Sequence, residues 1–211
     1  MNRPRMSPPK LIRTLSLLSA LITALVTQIS AANAALDAEG YIRHWLMLAP
    51  ISLPEGVNAG EALLREQIPN ESKLRPQAGD TVTVRTKALT WKAVQATTNY
   101  FDFNETLKSP NDRAVGYIVA YVECDEEIPR AILAVASNDQ GRIYFNGVDI
   151  YAFTEARPLM LDADKGRITL KKGTNILVFK IINEQNSWQG AMRLLDSSGS
   201  PLKNVRIKLQ P

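Results

Sequence analysis

Residues 142–153, Arg-Ile-Tyr-Phe-Asn-Gly-Val-Asp-Ile-Tyr-Ala-Phe, constrain the fold of this chain more than any other segment. Two β-rich runs meet at Asn146-Gly147, and Asn-Gly readily takes the positive φ angles of a type I′ turn, so a β-hairpin is predicted here. The same period of two recurs elsewhere. Residues 81–85 read Thr, Val, Thr, Val, Arg and residues 205–209 read Val, Arg, Ile, Lys, Leu, the pattern of a sheet with one buried and one wet face.

Residues 41–48 read as a buried first strand ended by Ala49-Pro50. Residues 115–122 and 131–136 read as apolar strands parted by Asp125-Glu126-Glu127 and Pro129. Residues 167–170 lead through the turn Lys171-Lys172-Gly173-Thr174 into 175–182, a fully apolar strand suited to a sheet centre, and the loop 183–187 returns the chain into 188–195. One short helix is expected after Asn58, which stands three residues before Glu61 in a capping-box spacing; Ala62, Leu63 and Leu64 supply its apolar face and Pro69 stops it. The expected fold is all-β: an antiparallel β-sandwich with one short N-terminal helix.

Residues 1–34 have the layout of a secretory signal peptide with cleavage after Ala34: a basic stretch, an apolar run over 15–29, and Ala32-Asn33-Ala34. The apolar run is shorter than the roughly 20 residues needed to span a bilayer and is broken by Ser, Thr and Gln, so no transmembrane anchor is expected after cleavage. The expectation is a single domain over 35–211, secreted or periplasmic. The formal charge of +4 resides on Arg3, Arg5, Lys10 and Arg13 of the leader, and the remaining body is neutral. A neutral body lacks the clustered cations that release counterions from nucleic acid, so nucleic acid is not an expected partner. Cys124 is the only cysteine; it cannot form an internal disulfide, and its place after an alternating run suits strand-end packing.

The inventory for catalysis is thin, and no enzyme and no catalytic residue are expected. His44 is the only histidine and alternates with apolar neighbours, which reads as a core-edge side chain with a satisfied hydrogen bond rather than a general base. A tetrahedral zinc site draws on several His and Cys ligands, and the chain has one of each. Asp162 and Asp164 have the Asp-x-Asp spacing of calcium loops, but Lys165 intrudes and a plain turn is preferred. Sugar binding asks instead for an aromatic face beside hydrogen-bonding groups. The aromatics near loops are Trp91, Tyr100, Phe101, Tyr151, Phe153 and Trp188.

Residues 130–150 carry an apolar strand, a loop with Asp139-Gln140 and the Asn-Gly hairpin. Residues 168–196 carry Leu170, Lys171, Gly173, Asn175, Asn183 and Trp188 in a "strand, Leu-Lys-x-Gly-x-Asn, apolar strand, Asn, loop, Trp, strand" order. His44 to Pro50 supplies a "Trp-x-x-x-Gly-Pro"-like opening with Ala49 in place of Gly. Together these resemble the galactose-binding-like jelly-roll domains of secreted bacterial proteins. The resemblance implies a jelly-roll sandwich that binds carbohydrate through loops at one end. The ligand-binding residues expected are Trp188, Asn186, Asn183, Asp139, Tyr100 and Tyr151, with packing over the sandwich end as the preferred other reading of Trp188. Members often carry a structural calcium, which stays open here, and no other cofactor is implied. The acidic pair usual before the hairpin is reduced to Asp139-Gln140. The alternative expectation is a structural or protein-interaction module of the cell envelope without a sugar ligand.

Overall fold

The computed structural model describes residues 34–211. The expected signal peptide, apart from Ala34, lies outside these residues. In chain order the elements are β1 (His44–Ser52), α1 (Ala59–Leu64), β2 (Thr81–Val84), β3 (Lys87–Thr90), β4 (Lys92–Gln95), β5 (Phe101–Asp102), α2 (Phe103–Leu107), β6 (Ala114–Cys124) and β7 (Ile128–Ser137). There follow β8 (Gly141–Phe145), β9 (Val148–Phe153), β10 (Asp164–Leu170), β11 (Gly173–Asn183), β12 (Gln189–Leu195) and β13 (Val205–Lys208), and a 3-10 turn at Glu71–Lys73 precedes β2.

All strand pairings are antiparallel. A seven-stranded sheet runs β4-β1-β6-β11-β8-β9, with β13 also on β6, and a four-stranded sheet runs β10-β7-β12-β5. β1 takes the first half of β6 and β13 the last part of the same strand. The hairpin β8–β9 turns at Asn146 (φ 50°) and Gly147 (φ 85°), both positive as a type I′ turn requires. Its tip is tied to the next turn, because Asn175 Oδ1 accepts from Asn146 Nδ2 (3.0 Å) and from Lys171 N (2.9 Å). The Asn of the Leu-Lys-x-Gly-x-Asn pattern therefore serves the turn itself.

The two sheets face each other across an apolar core in which Trp45, Ile118, Leu177 and Phe179 of the large sheet meet Leu133, Val135, Met192 and Leu194 of the small one. The large sheet has no wet face at its centre, contrary to the one-buried-face expectation. A second core lies on its other side, where Leu46, Leu48, Tyr117, Val119 and Val178 meet Ala62, Leu63, Ile68, Leu89 and Trp91. Residues 53–91, with α1 and the β2–β3 hairpin, thus form a third layer, and β6 is buried along nearly its whole length. Burying a side chain such as Leu63 stabilises by roughly 1.5–3 kcal/mol, which is why a segment with so little regular structure holds its place.

The first strand also differs from expectation. It begins at His44 and continues to Ser52 through Ala49-Pro50. The register on β6 shifts between Leu48 and Ile51, and a bulge is where a strand tolerates a proline that lacks an N–H. α1 starts where the cap predicts, with the Asn58 Oδ1 accepting from Glu61 N at 2.9 Å. Cys124 ends β6 buried, and burial pushes its thiol up to about 11, which makes it a poor nucleophile.

Candidate functional site

Four of the expected ligand residues come together at one end of the two facing sheets, where α2 and the loops 108–113, 138–140 and 184–188 meet. Their polar atoms mostly serve those loops. Asp139, in the left-handed region at φ 59°, accepts from Glu184 N at 2.8 Å through Oδ2 and donates its own N–H to Arg157 O. Burial pushes the Asp139 carboxyl up, against the pull of the backbone N–H groups it accepts from. Asn183 is fully buried and donates to Asn111 O at 2.7 Å, while its Oδ1 has no partner among the described residues. Asn186 is exposed, with its backbone held by Asp112 and Asn104 (2.9 and 2.7 Å).

Trp188 offers no face to a ligand. It is 0% exposed, its ring stacks on Phe103 (centroids 4.3 Å apart, planes 16°) and its Nε1 donates to Ile181 O at 3.3 Å. A Cβ on Gly116 would stand 2.7 Å from Trp188 Cζ2, so a glycine on β6 makes room for the indole. The physical reason is that Trp188 immediately precedes β12 and its side chain drops between the sheets, where a ring that large buries the most apolar surface. Trp91 and Phe101 are likewise buried.

Tyr151, on β9, joins the Asp139 loop through Arg157, whose backbone O accepts from Asp139 N and whose Nη2 donates to Ser137 Oγ at 3.4 Å. Its hydroxyl donates to Asp164 Oδ2 (2.7 Å) and accepts from Arg157 Nη2 (2.6 Å), and the Arg157 guanidinium sits 3.8 Å over the Phe153 ring. This network links β9 to β10 and closes one flank of the facing sheets. Asp162, the other half of the Asp-x-Asp pair, is held by Arg193 and Lys165. Among the described residues no three His, Cys, Asp or Glu side chains converge. His44 is half-buried at the start of β1, and its Nδ1 has no partner among the described residues; the satisfied hydrogen bond expected there is not seen at that atom. Burial, then Arg43, holds the ring below its usual pKa.

Tyr100 lines a groove of about 270 Å³ between β4, residues 96–100 and α2, together with Gln95, Thr97, Asp102, Glu105 and Lys108. The sequence by itself leaves residues 100–104 as either one surface or one strand. In the structure the chain pairs briefly with β12 as β5 and then turns into α2, because Asp102 caps the helix by accepting from Glu105 N at 2.9 Å. Asp102 Oδ2 also accepts from Gln189 Nε2 at 2.8 Å. One wall of the groove is therefore fixed to β12, behind which Trp188 stacks.

A second polar cluster has no counterpart among the sequence expectations. The strand read as fully apolar carries Lys180, which is 0% exposed and donates to both Glu71 carboxylate oxygens (3.1 Å each), Leu63 O (2.9 Å) and Arg65 O (2.6 Å). Tyr117 and Tyr144 donate to the same buried carboxylate at 2.5 and 2.6 Å. Arg142 caps Leu64 O at 2.7 Å and Gln67 caps Ala62 O at 2.9 Å. The last carbonyls of α1, which a helix leaves unpaired, are thus satisfied by side chains of β8, β11 and the following loop. A lone lysine inside an apolar central strand was the available signal.

This cluster sets a pH dependence. Burial, followed by Glu71, pushes the hydroxyls of Tyr117 and Tyr144 up, and burial does the same to Tyr121 and Tyr151. A folded state that keeps protons the unfolded chain gives up near pH ~10 has their full contribution below that pH and loses it above. Lys180 acts in the opposite sense: burial pulls it down to about 8, so the folded state releases its proton first, and stability gains between there and the ordinary lysine value of about 10.4. Urea midpoints are expected to hold or rise up to about pH 10 and then fall, each tyrosine contributing about 1.4 kcal/mol per pH unit. Midpoints unchanged between about pH 10 and 12 would count against the buried hydroxyls.

No family pattern matches the chain, and no curated protein sequence is similar to it.

Proposed function

We propose that this protein is an exported, non-catalytic binding module of galactose-binding-like jelly-roll type that holds carbohydrate. The observation that carries this reading is the groove at Tyr100. Tyr100, which packs in part on Tyr41, Ala136 and Ala191, lines it beside hydroxyl, amide and carboxylate groups in about 270 Å³, and an aromatic beside such groups is the kind of set by which a pyranose is held. The proposal moves the contact from the end loops to this groove, since Trp188, Asn183 and Asp139 are enclosed. Asp102 is a helix cap with both oxygens engaged, which favours a binding over a hydrolytic role. Affinity electrophoresis of the purified protein on cell-wall and plant polysaccharides tests it. Retention is expected, and Tyr100→Ala should weaken it about tenfold, the scale of one lost aromatic contact. Absence of retention on every polymer would overturn it.

A specific observation favours the alternative, a protein-interaction module of the envelope. β9 ends the large sheet, and its Val148 and Ile150 are 62% and 40% exposed, with Leu64 of α1 at 52%. Open apolar sheet edges are surfaces on which another chain can pair.

A further inference from the structure

The first described residues tie the two sheets together. Ala34 N donates to Ile207 O at 3.0 Å, and Ile207 N donates to Ala34 O at 2.7 Å. Such a reciprocal pair is a rung of an antiparallel ladder, and it stands on β13, whose other neighbour is β6. The side chains of Ala34 and Leu36 pack on the core between the sheets. Further along, the same segment reaches the small sheet: Gly40 O accepts from Leu194 N and Ile42 N donates to Met192 O, each at 3.0 Å and both on β12. Asp37 turns the chain between these anchors, its Oδ1 accepting from Glu39 N at 3.0 Å and from Tyr41 N at 2.8 Å. Residues 34–42 are therefore a strap from the large sheet to the small one, and Ala34 is its anchor on the large sheet.

A cut after Ala34 would remove that anchor. Two residues earlier, Ser30-Ala31-Ala32 has the same small-residue spacing as Ala32-Asn33-Ala34. Given the export proposed above, on which this rests, we infer that a leader peptidase cuts between Ala32 and Asn33, so that the mature chain keeps Ala34. Hydrolysis of that bond consumes one water, leaves a carboxylate on Ala32 and puts the new amino terminus on Asn33. Ala34 then retains the peptide N–H that Ile207 O accepts. A terminus at Ala34 itself would replace that amide by an ammonium.

Production of the full chain in a bacterium, with amino-terminal sequencing and an intact mass of the exported product, tests this. The product is expected to begin at Asn33. Ala34→Gln should be cut at the same bond, because the small residues needed there are Ser30 and Ala32. A product that begins at any other residue, or an Ala34→Gln chain left uncut while the parent is cut, overturns the assignment and leaves the export reading standing. Parent and variant both uncut and retained in the cell remove both. The strap has its own readout: the form beginning at Ala35 should melt about 3 °C or more below the form beginning at Asn33, the scale of two lost hydrogen bonds in a domain of this size. Equal midpoints overturn the anchoring role of Ala34 and the inference with it.

Discussion

Lys180→Met is expected to lower the unfolding free energy by about 3–5 kcal/mol, the cost of leaving a buried charge without its counterion. Glu71 is 0% exposed, and in the variant its carboxylate would keep only the Tyr117, Tyr144 and Gln67 donors. Leu63 O and Arg65 O would lose their shared cap as well. The residues affected lie far apart in the chain but in one contact, so the effect should fall first on the attachment of the layer 53–91 to the large sheet. Urea unfolding is the measurement, and the cycle that includes Glu71→Gln and the double variant identifies the mechanism. The double variant should be less destabilised than the two single changes summed, because it removes the orphaned charge. A loss below about 1 kcal/mol for Lys180→Met would mean the pair is solvated, contrary to its burial.

Trp188→Ala should cost a comparable ~3–5 kcal/mol, as for other fully buried tryptophans, and lower the thermal midpoint by about 10 °C or more. The indole stacks on Phe103, Phe103 stands edge-on to Phe101 at 4.9 Å, and both belong to the segment that becomes β5 and α2. Removing the ring therefore loosens the wall of the groove from behind. Tyr100→Ala, at a half-buried position on the groove that also packs on Tyr41, Ala136 and Ala191, should lower the midpoint by clearly less than Trp188→Ala while reducing retention on polysaccharide. The contrast separates a core aromatic from a ligand-facing one. A Trp188→Ala protein that melts within about 2 °C of the parent but fails to bind sugar would return Trp188 to a ligand-binding role.

What could be read from the chain alone was whatever local chemistry determines. Asn146-Gly147 demands its turn through φ angles that few other residue pairs adopt, Asn58 caps α1 through a hydrogen bond three residues long, and the alternating runs become antiparallel strands. The gathering of Asp139, Asn183, Asn186 and Trp188 at one end also follows from the order of strands and loops. Which way those side chains point does not. Trp188 turns inward because a glycine on β6 leaves it space, and that glycine is 72 residues away along the chain. Lys180 reads as an intruder in an apolar strand until Glu71, 109 residues earlier, is laid over it by a layer with little periodicity of its own. Local patterns are set by backbone geometry and nearest neighbours. Burial, charge pairing and the walls of a groove depend on contacts between distant segments, and only the folded chain decides those.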